Sequence, residues 1–308
     1  MFYRRVLWPD RVYIRKRSTQ FCAHKNIIMK LTHENKVEKF YSHGSDTRGF
    51  QDGGFLSFGY WTEETIDYHQ AAEALINRLL KFEKPLNQGV ILNVACGYGA
   101  ETVKVYEKIR PDKIIAIDIT NSHVEFAQRR INSLNLSDRI HFEKMDACDI
   151  NFQPDSFIYV IAVEGPAHFD TREVFLRKAY EALKPGGILL FSDIVTDNLK
   201  TKKSLYNKII ANFCAWRWHM PKANWMTAEE VKTLLKEIGF TIDKAETIGA
   251  NVYPGFSRFN LKWKSIKNAI YTRGLRIGLL LTFISWVLGY VYKRKIIDYM
   301  FIKAIKPN

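Results

Sequence analysis

Seven positions in this sequence combine residue type and spacing in a way that suits chemistry. Gly97 and Gly99 stand one residue apart in Ala95-Cys96-Gly97-Tyr98-Gly99-Ala100, directly after the apolar run Val90 to Val94. Without side chains they let a ligand approach the backbone, and a helix starting there offers N–H groups to a negative group. Asp118 closes a second apolar run, Ile114 to Ile117, 21 residues after Gly97. A carboxylate at the end of a second strand is placed to grip ribose hydroxyls. Asp146, followed by Ala147, ends a third unit, and Glu164 ends a fourth apolar run, Tyr159 to Val163. His168 stands four residues after Glu164, and Asp193 follows a fifth run, Ile188 to Phe191. Histidine is the usual general base near neutral pH. Glu164 could instead orient a substrate or stabilise a carbocation.

These residues need a frame that brings them to one edge. Strands are expected at 90–95, 113–118, 140–144, 157–163 and 187–193, with helices at 101–109, 121–134 and 171–183. That alternation predicts a parallel sheet with helices on both faces, whose ligands sit outside the C-terminal strand ends at the switch point. Gly97, Asp118, Asp146 and Glu164 all fall at such ends. Upstream, Thr62 is read as the N-cap of a helix running to about Phe82, and Val37 to Tyr41 as a short helix. Asn121 is read as a cap of the second helix of the alternating region, and Thr171 with Glu173 as the start of the third. Downstream, Thr227 and Glu230 form a capping box, Gly239 stops that helix, and Phe240 to Ile248 is a sixth strand. Ile296 to Ile302 reads as the last.

Taken in order, these motifs resemble a class I S-adenosylmethionine-dependent methyltransferase over roughly Phe40 to Pro307. Within that superfamily the chain is most similar to the small-molecule branch that includes sugar, macrolide, sterol and tocopherol methyltransferases. The resemblance implies a Rossmann-like α/β fold: a seven-stranded, mostly parallel sheet with an antiparallel last strand, helices on both faces and helical cap insertions. It implies S-adenosyl-L-methionine as cofactor. Ala95, Gly97 and Gly99 would line its methionine end, Asp118 its ribose, and Asp146 with Ala147 its adenine, with Ile119 packed on the base. Tyr41 and Tyr60 match the N-terminal segment that folds over the cofactor. Two positions depart from the pattern: Asn93 replaces the acidic residue of the first motif, and Ala95 replaces a glycine. In similar sugar O-methyltransferases a histidine and an aspartate act together as the base, at the places of His168 and Asp193. No metal is implied. Small-molecule O- or C-methylation is the expected reaction. The alternatives are a nucleic-acid methyltransferase and a non-catalytic, membrane-associated scaffold with this fold.

Composition narrows these classes. The chain has 308 residues and a formal net charge of +14. Residues 1–30 carry +7 and residues 258–308 carry +10, which leaves the body between them at −3. A slightly acidic body with basic ends fits an anionic membrane surface better than a nucleic-acid groove; solvated faces and a variable tail are the plainer alternative. An Asn/Asp-Pro-Pro-aromatic motif is missing after the fourth strand, where Val163-Glu164-Gly165-Pro166 stands. A small-molecule acceptor is therefore the expected partner, not nucleic acid. Four cysteines without CxxC spacing suggest reduced thiols and a cytoplasmic protein. Residues 1–28, Arg-rich and aromatic, are expected to lie outside the fold as a disordered or untranslated extension, with the methyltransferase domain spanning 29–308. Residues 195–226 and 257–292 are expected as cap insertions on the substrate side. The uncharged stretch Ile277 to Tyr292 is expected to lie on the domain or on a membrane surface, because a crossing would separate the last two strands of one sheet.

Overall fold

Apolar side chains on both faces of successive strands decide the architecture. The computed structural model describes residues 36–38, 54–81, 83–196 and 205–308. Its strands are β1 (Val90–Val94), β2 (Lys113–Asp118), β3 (Ile140–Lys144), β4 (Phe157–Val163), β5 (Leu183–Thr196), β6 (Thr241–Thr247) and β7 (Ile297–Ile305). They form one sheet in the order β3-β2-β1-β4-β5-β7-β6. β7 runs antiparallel to both neighbours and every other pair is parallel. The expected α/β class and the antiparallel last strand are both present.

The helices are α1 (Tyr68–Leu79), α2 (Ala100–Ile109), α3 (Asn121–Ser133), α4 (Arg172–Ala182), α5 (Leu205–Arg217), α6 (Ala228–Ile238), α7 (Gly249–Asn260), α8 (Trp263–Arg273) and α9 (Leu275–Lys293). Alternate strand residues feed two cores, as the two-residue period of a strand requires. Ile91, Tyr159 and Ile161 join Leu75 of α1, Val105 of α2, Ala127 of α3, Val252 of α7 and Leu288 of α9. Leu92, Val94, Val160 and Ala162 join Phe175 and Leu176 of α4 and Val231 and Leu235 of α6. β6 pairs on one side only and alternates between exposed and half-buried residues, as an edge strand does.

Several boundaries differ from the sequence reading. α1 starts six residues after Thr62, because Asp67, not Thr62, caps it: the Asp67 side chain accepts from the Gln70 N–H. Thr62 and Thr65 instead close a turn on each other, with the Thr62 N–H donating to Thr65 Oγ1 at 2.9 Å. Asn121 is the first residue of α3, not its cap, and its amide donates to Glu125. β5 is longer than 187–193, since Leu183 leaves α4 straight into extended backbone and the strand continues to Thr196. The first insertion therefore begins beyond Thr196. The second helical segment begins at Gly249 immediately after β6, earlier than the expected Ser257. Thr171 caps α4, the Thr227–Glu230 capping box is complete, and Gly239 ends α6 at φ 117°. Residues 36–38 are helical. Tyr41 and residues 1–28 lie outside the described residues.

α9 is the one helix among the described residues that is long and apolar enough to cross a membrane. It does not leave the domain. Val287, Leu288 and Val291 are buried, and β7, which follows, lies between β5 and β6.

Candidate active site

The site forms where β1 and β4 lie side by side and the strand order reverses. Both strands end in left-handed backbone, at Ala95 (φ 55°) and Glu164 (φ 55°). This region is costly for residues with a Cβ, and such positions gather at functional sites. The two ends pack together closely: a Cβ on Gly165 would stand 2.6 Å from the Ala95 Cβ. A continuous cavity of about 320 Å³ opens over them. That volume falls within the ~300–1,000 Å³ of small-molecule sites.

One end of the cavity is walled by Ala95, Gly97, Asp118, Ile119, Asp146 and Ala147, all predicted. Asp118 ties this end together. Its Oδ2 accepts from the Gly97 N–H and its Oδ1 from the Thr120 N–H, each at 2.9 Å, and His123 Nδ1 stands 3.2 Å away. Burial pushes its carboxyl up, but the hydrogen bond and charge of His123 and the two N–H groups outweigh this and hold it below the usual value. Asp146 caps the turn Ala147–Asp149 through the Cys148 N–H.

An adenosyl group fits this end. It offers an ionised carboxylate for ribose hydroxyls and, in Ile119, Met145 and Ala147, apolar surface for a flat base. Thr120 lines the same space, and its buried hydroxyl makes no hydrogen bond among the described residues. A bound polar group can complete it.

Three of the residues predicted for the cofactor do not reach the cavity. Asn93 is satisfied internally, its amide donating to the Ile161 carbonyl and its Oδ1 accepting from the Thr102 hydroxyl at 2.6 Å. It braces β1 against β4 and α2. Gly99 serves packing, since a Cβ there would stand 2.7 Å from Phe142 Cζ. The Tyr60 ring lies under the Arg78 guanidinium, away from the cavity. The N-terminal wall is made by Leu56, Ser57 and Phe58 instead.

Glu164 and His168 line the middle of the cavity. Glu164 Oε1 accepts from the Phe58 N–H at 2.8 Å and the Tyr299 hydroxyl at 2.9 Å. Burial dominates and pushes its carboxyl up to about 8, so it is largely protonated at pH 7. Glu101 lines the same cavity and is likewise raised by burial to about 8. Sequence reasoning missed Glu101, because an acid in the first turn of a helix reads as a solvated partner of the helix dipole.

Asp193 does not share the cavity with His168. It is fully buried against Arg172, with 2.7 Å between its Oδ2 and an Arg172 terminal nitrogen. Its Oδ1 accepts from the N–H groups of Ala167 and Ile194. Arg172 also donates to the carbonyls of Ile194 and Asn224. The Asn224 amide donates to the carbonyls of Ala167 and Phe169, on either side of His168. Asp193 is thus a positioning residue for the turn that carries His168. The His168 Nδ1 stands 2.6 Å from the Trp218 carbonyl. A carbonyl only accepts, so this ring nitrogen carries the proton and Nε2 is the basic one.

The far end of the cavity is walled by Phe256 and Phe259 of α7, Asn268 of α8, and Leu281, Ile284 and Leu288 of α9. Sequence reasoning favoured a helix over the pocket here, but it did not single out the α7 aromatics.

Residues 86–239, half of the chain, match a family described as "Methyltransferase domain". The chain is 29% identical to the erythromycin 3''-O-methyltransferase of Saccharopolyspora erythraea, over 67% of this chain and 68% of that protein. It is 25% identical to the O-methyltransferase cnsE of Penicillium expansum, over 80% of this chain and 86% of that protein. A solved geranyl diphosphate C-methyltransferase from Streptomyces coelicolor superposes with a TM-score of 0.71 at 11% identity, covering 89% of this chain and 97% of that one. At that identity the likeness is one of fold. With a switch-point cavity that fits an adenosyl group and the family match across β1 to α6, the chain belongs to the methyltransferase domain family, as an S-adenosylmethionine-dependent enzyme that methylates small molecules.

Proposed function

We propose that the protein methylates a hydroxyl group of an apolar or amphipathic small molecule, with His168 as general base. The observation that carries this is the His168 ring at the cavity wall, its Nδ1 held by the Trp218 carbonyl. Bound S-adenosylmethionine supplies an electrophilic methyl group on a sulfonium. Ala95, Gly97, Asp118 and Asp146 hold that cofactor at the strand ends. His168 Nε2 takes the proton of the acceptor hydroxyl as its oxygen becomes nucleophilic. Glu164, protonated at neutral pH, donates a hydrogen bond that orients the acceptor. The aromatic and aliphatic far wall suits an apolar acceptor body. The names of the relatives agree: the two cited above are O-methyltransferases. We place the reaction in a reducing, cytoplasmic setting, which suits Cys96, Cys148 and Cys214, all buried and outside any disulfide among the described residues.

The test is methyl transfer from labelled S-adenosylmethionine to a panel of hydroxylated apolar acceptors. His168→Ala and His168→Gln should lower kcat by ~10²–10⁴-fold, the usual worth of a general base, with cofactor affinity by calorimetry unchanged. Full turnover by both variants would remove His168 from the mechanism.

A further inference from the structure

α9 has two working faces. Leu281, Ile284, Ser285 and Leu288 wall the cavity. One helical step round, Leu275, Leu279, Leu280, Phe283 and Trp286 face outward, with Phe283 and Trp286 47% and 49% exposed. Their rings and that of Tyr290 form a ladder, with centroids 5.9 and 5.6 Å apart. The neighbouring helices extend this surface. α5 packs on α9 through Ala211, Cys214, Val287 and Val291, and it leaves Ile209, Phe213 and Trp216 exposed. α8 packs on α9 and has no buried residue, with Trp263 and Tyr271 open to solvent.

The charge around this apolar face has one sign. Residues 247–297 contain nine Lys or Arg and no Asp or Glu. Arg276 flanks the start of α9, and Lys293, Arg294 and Lys295 close its end, all exposed. Lys262, Lys264 and Lys267 are exposed on and beside α8. A second copy docked face to face would bring like charges together. An anionic surface complements the rim while taking up the aromatic ladder, the arrangement of helices that lie in a bilayer interface.

We propose that the outer face of α9, flanked by α5 and α8, docks the protein on an anionic lipid bilayer. The same helix then stands between the lipid and the cavity, which places the bilayer beside the acceptor site. That last step rests on the proposed function; the docking does not.

Flotation of the whole chain with phosphatidylcholine vesicles, with and without phosphatidylserine, tests this in the absence of cofactor and acceptor. The chain should float with phosphatidylserine vesicles, release as salt rises, and show a blue-shifted tryptophan emission. Phe283→Ser/Trp286→Ser and Arg276→Glu/Lys293→Glu/Lys295→Glu should each weaken vesicle binding by ~10-fold or more. Neither set lines the cavity, so cofactor affinity by calorimetry should be unchanged, which also shows that the variants fold. Equal flotation of the folded variants and the unaltered chain would overturn the proposal. So would a failure to float, including the case of a dimer that the same substitutions dissociate. Retained vesicle binding with no methyl transfer would uphold the docking and count against the proposed function alone.

Discussion

Asp118 and Glu164 sit in the same cavity and are pushed in opposite directions. Asp118 has two N–H donors and His123 to hold it ionised, whereas burial outweighs the donors to Glu164. The signs for stability follow. Asp118 adds stability above its ordinary carboxyl range and loses it as pH falls through its lowered folded value. Glu164, raised from 4.5 to about 8, and Glu101, raised likewise, contribute fully below pH ~4.5 and progressively less as pH rises toward 8. Each unit corresponds to about 1.4 kcal/mol. Glu164→Gln keeps an acceptor for Phe58 and Tyr299 but cannot ionise. Urea denaturation between pH 5 and 9 should therefore show a decline in stability that is flatter in this variant, by a few kcal/mol (~1.4 per unit removed). An unchanged slope would contradict the burial argument. At this scale the sequence was informative where strand ends announce themselves, as at Gly97, Asp118, Asp146 and Glu164. It was misleading where a residue's partner lies far along the chain. Asn93 looked like a weakened cofactor ligand but turns inward to Thr102 and Ile161.

The turn between β4 and α4 is fixed by a buried knot that no local pattern signals. Arg172 opens α4, where an arginine ordinarily faces solvent. Its partners Asp193 and Asn224 are 21 and 52 residues away. Removing one member of a buried, hydrogen-bonded ion pair leaves the other unpaired, at a cost of ~3–5 kcal/mol. Asp193→Ala should lose about that much in urea unfolding. Arg172→Met/Asp193→Leu, which removes both charges, should recover most of the stability. It should still turn over slowly, because the Ala167 N–H beside His168 has lost its acceptor. Full activity in the double variant would show that the knot stabilises the fold without positioning the base. The helix starts teach a related lesson. Thr62 and Asp67 are both good caps by type, and the choice falls to Asp67 because Thr62 hydrogen-bonds to Thr65 in the preceding turn.

Across the whole molecule, the sheet was legible because its central strands are apolar on both faces and each runs into a polar or glycine residue, at its end or within three positions of it, on the same edge. The antiparallel β7 followed from the resemblance, and its register with β5, from Ile188↔Ile305 to Thr196↔Ile297, matches it. The acceptor end was harder to read. Three helices between β6 and β7 fold back over the strand ends, and only their packing separates the face of α9 that walls the cavity from the face that meets solvent. The central claim is that the β1–β4 switch point holds S-adenosylmethionine, and calorimetric titration of that cofactor tests it most directly. The whole chain should bind it saturably, and Asp118→Ala should bind it ~10–100-fold more weakly, the worth of hydrogen bonds to a charged group. A folded, unaltered chain that takes up no cofactor, or an Asp118→Ala chain that binds it equally well, would contradict the account.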